Sequence, residues 1–440
     1  MMAITTVCSG QVKVWVNFSS DMHNGVGGGP NGIADWVDEL DKATAAAGVT
    51  TFSAAERTTI ETEVLSQLST IYSGYDVTWT TTMPGSGVFD SLAYGMSSFG
   101  FTALGIAPTD PINISSSQVG SIATGNFSFI LDEFTGSASR PTQISQLATA
   151  LAGTGAHELG HTFGLFHHHA YSDSSVIPAT YASTGGVQNG YIMATGPTGL
   201  TEAGREALRS LSPWERAMLD AAGGAAAAYP SLDHKKLVSS PILIDLMEDG
   251  PFDAGATPGT AMPISLSSGA TSGMDLALIA ADLDGSASDV DWFKITLATP
   301  GLLTAEVFSD NRFASPFDFD PFLGLLDGAG MFLIGNDDVF YSGDVYNSLV
   351  FRQDDPFLLN VPLGPGEYFL MVHASPTSSI PPGPGDAYWL QVGFLAVPEP
   401  GTLAAMTVVG MGIVLLARRT RLDRNRIGNR FKVRLRIRDL

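Results

Sequence analysis

The sequence predicts an α+β domain first, an all-β sandwich second and a C-terminal hydrophobic segment last. Three observations predict this order. Residues 143–164 form a long run of helical character that closes on Gly164. Upstream of it, short β-rich runs surround one clear helix. Downstream, after a stretch rich in Ala, Gly, Pro and Ser, only short β-rich runs separated by turn residues remain.

The elements follow in order. Residues 11–18 alternate and are β-rich, so they read as a strand. Residues 54–72 carry Ile60, Val64, Leu65, Leu68 and Ile71 near helical spacing, behind Ser53 as N-cap. Short strands are expected at 76–82, 88–94, 102–107 and 127–131, and the long helix at 143–164. Of these strands, 102–107 is the choice for the edge of a cleft, where extended substrate backbone would pair. Ser212 and Pro213 open a further helix, as N-cap and first helical residue. From Ala221 the composition loosens into a linker, with one short ordered piece at 242–247. Strands then fall at 291–297, 321–326 and 364–372, with turn residues Gly335 to Asp338 between them, which suggests a sandwich. The resulting division is 1–225, a linker 226–262, a sandwich 263–396, a signal-like segment 397–421 and a tail 422–440.

At 440 residues the chain is long enough for two or three domains with real cores. Its formal charge is −22, which excludes a nucleic-acid partner, because that needs a basic surface. The charge is uneven. Residues 401–440 hold ten Lys or Arg against two Asp or Glu, so the first 400 residues carry 12 basic and 42 acidic groups. One cysteine, Cys8, excludes an intramolecular disulfide, and nothing around it marks it as reactive.

Residues 157–167 read H-E-L-G-H-T-F-G-L-F-H and carry the chemistry. His157 and His161 are four apart, so on a helix their imidazoles share one face and can share a metal. Glu158 sits beside the first of them, in reach of a water on that metal. His167 would lie about 240° around a continuous helix. The helix must therefore stop, and Gly164 is where it can, because glycine accepts the left-handed conformation that ends a helix. Catalytic Zn2+ takes three protein ligands, keeps a position for water and lowers that water's pKa to about 7. Glu158 is then the general base. Five of the eight histidines fall between positions 157 and 169, which favours a built site over a chance pattern.

The full H-E-x-x-H-x-x-G-x-x-H pattern resembles the signature of the metzincin zinc endopeptidases. The resemblance implies His157, His161 and His167 as zinc ligands, Glu158 as catalytic base and a protein or peptide as substrate. It also implies a methionine turn below the metal, for which Met193 in Gly190 to Thr195 is the candidate, followed by a helix. Some members place a tyrosine two residues after that methionine; here Thr195 stands there, so a tyrosine ligand is not supported. His168 and His169 follow the third ligand, and a register in which one of them binds metal stays open.

Two further resemblances cover the rest. The stretches at 291–297, 321–338 and 364–372 resemble the bacterial pre-peptidase C-terminal domain, over roughly 263–396. Asp282, Asp284, Asp289 and Asp291 cluster before its first strand and are candidates for Ca2+, although a solvated acidic turn is the simpler account. Val397-Pro398-Glu399-Pro400, the apolar run 403–417 and Arg418 to Arg421 resemble the PEP-CTERM sorting signal. That resemblance implies processing by an exosortase-type enzyme and an exported protein, at the cell envelope, at its surface or outside the cell. The 15 residues of 403–417 are short for a permanent span and suit transient inner-membrane contact, with an ordinary anchor as the alternative. The tail 422–440 departs from the usual layout of such signals. Residues 1–9 lack a basic, apolar leader, so a coding start further upstream is expected. The composite expectation is an exported zinc metalloendopeptidase. Its rivals are a non-enzymatic surface protein that keeps the fold and a zinc hydrolase of non-protein amide bonds.

Overall fold

The structure is a computed structural model. It describes residues 12–24, 28–97, 102–108, 117–132, 139–165, 190–194, 200–228, 244–246, 254–284, 289–309, 320–337, 345–346, 349–350, 356–375 and 384–397. Among them it is a mixed α/β molecule with several sheets. His167, His168, His169, Thr195, Cys8 and the whole of 398–440 lie outside the described residues.

The N-terminal sheet is built from β1 (Val12–Asn17), β2 (Val77–Thr80), β3 (Asp90–Tyr94), β4 (Gly105–Ile106) and β5 (Val119–Ile122). Its order is β2-β1-β3-β5-β4. The first four of these run parallel, and only β4, at the edge, is antiparallel to its neighbour. Val12, Val14 and Val16 are buried, as alternation along β1 requires. Helix α1 (Asp35–Ala47) follows β1 and packs Trp36 edge-on to Phe18. Helix α2 (Ala54–Ile71) begins at a capping box: Glu56 N–H donates to the Ser53 hydroxyl, and Ser53 N–H donates to the Glu56 carboxylate.

Residues 124–132 depart from the expected strand at 127–131. Thr124–Phe127 is a 3-10 turn that runs into helix α3 (Ser128–Asp132). Phe127, Ile130 and Leu131 are all fully buried. Their spacing of three to four residues suits a helix, and packing on α1 outweighs the β propensity of the aromatic residues.

Helix α4 (Arg140–Thr162) crosses this layer. Ser139 caps it, and Arg140 bonds the Glu56 carboxylate at 2.7 Å, which ties its start to the start of α2. The helix is rich in Ala and Gly, so it sits close to the sheet and to α2. The Tyr72 hydroxyl donates to Ala156 O at 2.7 Å and the Tyr94 hydroxyl to Leu151 O at 3.3 Å. A one-turn helix, α5 (Glu202–Arg205), and a longer one, α6 (Pro213–Ala228), follow.

The C-terminal half is β throughout its described part. After β6 (Ile244–Leu246), β7 (Met262–Ile264) and β8 (Ser267–Ser268) come β9 (Asp275–Asp284), β10 (Val290–Leu297), β11 (Gly301–Ser309), β12 (Pro321–Asp327) and β13 (Phe332–Asn336). A small hairpin, β14 (Val345–Tyr346) with β15 (Leu349–Val350), precedes β16 (Phe357–Leu363), β17 (Gly366–Ala374) and β18 (Pro384–Ala396). One sheet runs β13-β12-β17-β10-β7 and the other β16-β11-β18-β9-β6. The expected linker 226–262 thus includes the end of α6, strand β6 within the short ordered piece expected at 242–247, and Met262, the first residue of β7; both strands are hydrogen-bonded into these sheets. Phe293, Leu325 and Leu370 of the first sheet and Leu303, Leu390 and Val392 of the second share one apolar core.

The second sheet is buried on both faces. Leu276, Leu278, Phe357 and Trp389 belong to the core of the N-terminal half, while Ile279, Ala281 and Leu390 face the other sheet. Trp214 of α6 donates its indole N–H to the buried Glu306 carboxylate at 3.1 Å. Asp220 accepts from Thr271 N–H, the Thr271 hydroxyl and Ser272 N–H. No helix among the described residues is long and apolar enough to cross a membrane.

Candidate metal centre on the central helix

His157 and His161 lie on successive turns of α4, with ring centroids 4.8 Å apart and ring planes perpendicular. His161 is buried and His157 is partly exposed. Each ring is held from behind by a main-chain carbonyl. His157 Nδ1 is 2.9 Å from Ile192 O, and His161 Nδ1 is 2.8 Å from Leu165 O. A carbonyl can only accept, so each ring carries its proton on Nδ1. In the neutral imidazole the lone pair is then on Nε2, the arrangement of a metal-ligating histidine with its outer partner in place.

The chain's geometry explains both carbonyls. The helix ends at Thr162, and Gly164 turns the backbone at φ 96°. Gly164 N–H donates to His161 O and Leu165 N–H to Gly160 O, so Leu165 folds back over the last turn and offers its own carbonyl to His161. The second carbonyl comes from the loop at 190–194. There Met193 is fully buried. A Cβ added at Gly160 would come within 2.7 Å of Met193 Sδ, so this glycine gives the methionine its place against the helix.

Three groups fix that loop. Ile192 N–H donates to Ser210 O at 3.0 Å. Met193 N–H donates to Glu215 Oε1 at 3.1 Å. Arg209, 2 % exposed, donates from Nη1 to Ile192 O at 2.9 Å and to Tyr191 O at 3.4 Å. Glu215 also closes a capping box with Ser212 at the start of α6. Complete burial pushes the Glu215 carboxyl up to about 7, against the pull of its backbone donors at Ser212 and Met193. Burial, with Arg205 nearby, lowers Arg209 to about 10, so it stays a cation at neutral pH.

Glu158 is buried on the opposite flank, against the strands. A Cβ at Gly105 of β4 would meet its Oε1 at 2.3 Å, and one at Gly120 of β5 would meet its Cβ at 3.0 Å. The two glycines clear the room in which this carboxylate lies, beside an antiparallel edge strand.

The arrangement therefore gathers His157, Glu158, His161, Gly164 and Met193. It says nothing of His167, which lies outside the described residues, and no group of three or more candidate ligands occurs among the described residues. In the C-terminal half, Asp291 is buried and accepts a hydrogen bond from the Tyr388 hydroxyl, while the side chains of Asp282 and Asp284 fall outside the described ones. Sequence reasoning passed over Arg209, Glu215, Gly105, Gly120 and Gly160. Only Glu215 left a signal, as the fourth residue of an S-x-x-E box after Ser212.

No protein-family model matches the chain, and no curated protein matches it. Among solved structures, a pre-peptidase C-terminal domain of collagenase from Bacillus anthracis is similar at 16 % identity, over 26 % of this chain and 86 % of that one, with a TM-score of 0.18. A family GH115 4-O-methyl-alpha-glucuronidase with specificity for decorated arabinogalactans is similar at 12 % identity, over 63 % of this chain and 30 % of that one, also with a TM-score of 0.18. Likenesses this distant carry no functional argument.

Proposed function

We propose that this chain is a zinc-dependent endopeptidase of the metzincin type. The observation that carries the reading is the pair of histidines on one helix face, each with Nδ1 held by a carbonyl, with the buried Glu158 between them in sequence. His157 and His161 would hold the metal, with His167 as the third ligand that the sequence pattern supplies. Bound there, Zn2+ would polarise the scissile carbonyl and acidify the attacking water.

The rest is the work of the chain. Glu158 takes a proton from the water and returns it to the leaving nitrogen. Its burial between Gly105 and Gly120 keeps the carboxylate in one place. The antiparallel edge strand β4 supports the binding of an extended peptide, whose backbone would add to the sheet next to Glu158. The carbonyls of Ile192 and Leu165 hold the ligand rings in one tautomer. The two C-terminal sheets are proposed as a β-sandwich of the pre-peptidase C-terminal type. Export with a processed PEP-CTERM-like signal is proposed from residues 397–421.

The test is cleavage of unstructured protein and of peptide libraries by the full chain, with and without a chelator, next to Glu158→Gln. The expected result is cleavage that the chelator stops, that zinc restores and that falls about 10²- to 10⁴-fold in the variant. Cleavage unchanged in Glu158→Gln would overturn the reading.

A further inference from the structure

Arg209 is the least comfortable side chain near the site. It is buried to 2 % exposure, remains charged and donates to the main-chain carbonyls of Tyr191 and Ile192. Its Nε has no hydrogen-bond partner. A buried guanidinium without a bonded carboxylate is a costly group to keep. The helix also makes room for it: a Cβ at Gly153 would come within 2.7 Å of Arg209 Nη2, one turn ahead of His157. One consequence distinguishes this expensive group from a packing element. The carbonyl that Arg209 bonds most closely, that of Ile192, is the same carbonyl that accepts from His157 Nδ1.

We propose that Arg209 is a positioning residue for the metal centre, acting through the Ile192 carbonyl to set the aim and the tautomer of His157. This rests on the zinc reading of the same site. Its Nη1 reaches the carbonyls of both Tyr191 and Ile192 and so fixes the direction in which Ile192 O points. The two helix ligands are thus unequal. His161 is backed by Leu165 O, which the turn at Gly164 delivers, whereas His157 is backed by a carbonyl that a distant arginine holds.

The test is zinc affinity of the full chain, by competition with a chelating dye, together with the visible spectrum of the Co2+-loaded protein and the thermal midpoint of the metal-free protein. Arg209→Lys keeps the charge and loses the planar guanidinium whose Nη1 reaches both carbonyls. Gly153→Ala keeps the arginine and crowds its guanidinium, while favouring the helix by about 1 kcal/mol. Both are expected to weaken zinc binding by about 10- to 100-fold, as loss of an outer partner does, and to shift the Co2+ spectrum. Trp214→Phe removes the buried bond to Glu306 and serves as the structural control: it lowers the thermal midpoint and leaves zinc affinity unchanged. Wild-type zinc affinity and an unshifted spectrum in both Arg209→Lys and Gly153→Ala would overturn the proposal. If the unaltered chain binds zinc and both variants match it, the proposed function stands and only Arg209's role falls. If it bound none, both would fall.

Discussion

The N-terminal half buries many ionisable groups, those of the α4 site among them, whereas among the described residues of the C-terminal half the buried ionisable groups are only Asp291, Glu306 and Tyr388. Glu158, His161, Arg209 and Glu215 all lie within the layer that packs on α4, and His157 stands at its surface. Behind them, the shared core of the two C-terminal sheets is Leu, Val, Ile, Ala, Phe and one tyrosine, Tyr388, whose hydroxyl meets Asp291. Glycines differ in the same way. Gly105, Gly120, Gly153 and Gly160 make space for Glu158, Arg209 and Met193, whereas Gly324 and Gly335 make space for Phe322, Phe332 and Met371. The C-terminal sheets are arranged for close apolar packing. The region around α4 accepts buried charge that packing alone would not select, and such groups concentrate where chemistry is done.

That contrast can be broken by pH. At pH below about 4.5 the Glu215 carboxyl is protonated folded and unfolded alike. Between 4.5 and about 7 the unfolded chain releases the proton while the folded chain keeps it. Stability therefore falls as pH rises through this window, by up to ~3 kcal/mol, and levels off above it. Urea midpoints at pH 5 and 7.5 measure this. Glu215→Gln is expected to lose most of the slope; an equal slope in the variant would place its origin elsewhere in the molecule.

A pair of glycines sharpens the contrast. Gly105→Ala should push the Glu158 carboxylate aside and cost about 10- to 100-fold in peptide turnover, with the thermal midpoint nearly unchanged. Gly335→Ala crowds Phe322 and the exposed Phe332 instead, and should cost about 1 kcal/mol of stability with turnover per folded molecule intact. Kinetics and thermal melts on the two variants check both; matching effects would mean that the two regions do not differ in this respect.

Sequence pattern made some of this legible for identifiable reasons. The helix expected at 143–164 is observed as Arg140–Thr162: its terminating glycine is a local signal, whereas the Ser139 cap was missed and the true start with it. Local signals also mark α2 behind Ser53 and α6 behind Ser212 and Pro213. Helix α1 escaped notice because its N-cap, Ala34, makes no side-chain bond and its body is mostly Ala and Asp. Strands β9, β11, β16 and β18 escaped because their sheet is buried on both faces, which erases polar alternation: Leu276 and Leu278 face the N-terminal half while Ala277 and Ile279 face the partner sheet. At the site the side chains of the H-E-x-x-H pattern were legible. The carbonyls of Ile192 and Leu165 were not, since every residue has a carbonyl and only tertiary structure decides which one meets a histidine.

The most direct measurement is the zinc content of the purified full chain beside His161→Ala and Glu158→Ala, with peptide cleavage read on the same samples. One zinc per chain is expected in the unaltered protein and in Glu158→Ala, and none in His161→Ala, with cleavage confined to the unaltered protein. Zinc retained by His161→Ala, or lost from Glu158→Ala, would contradict the assignment of ligands and base on α4.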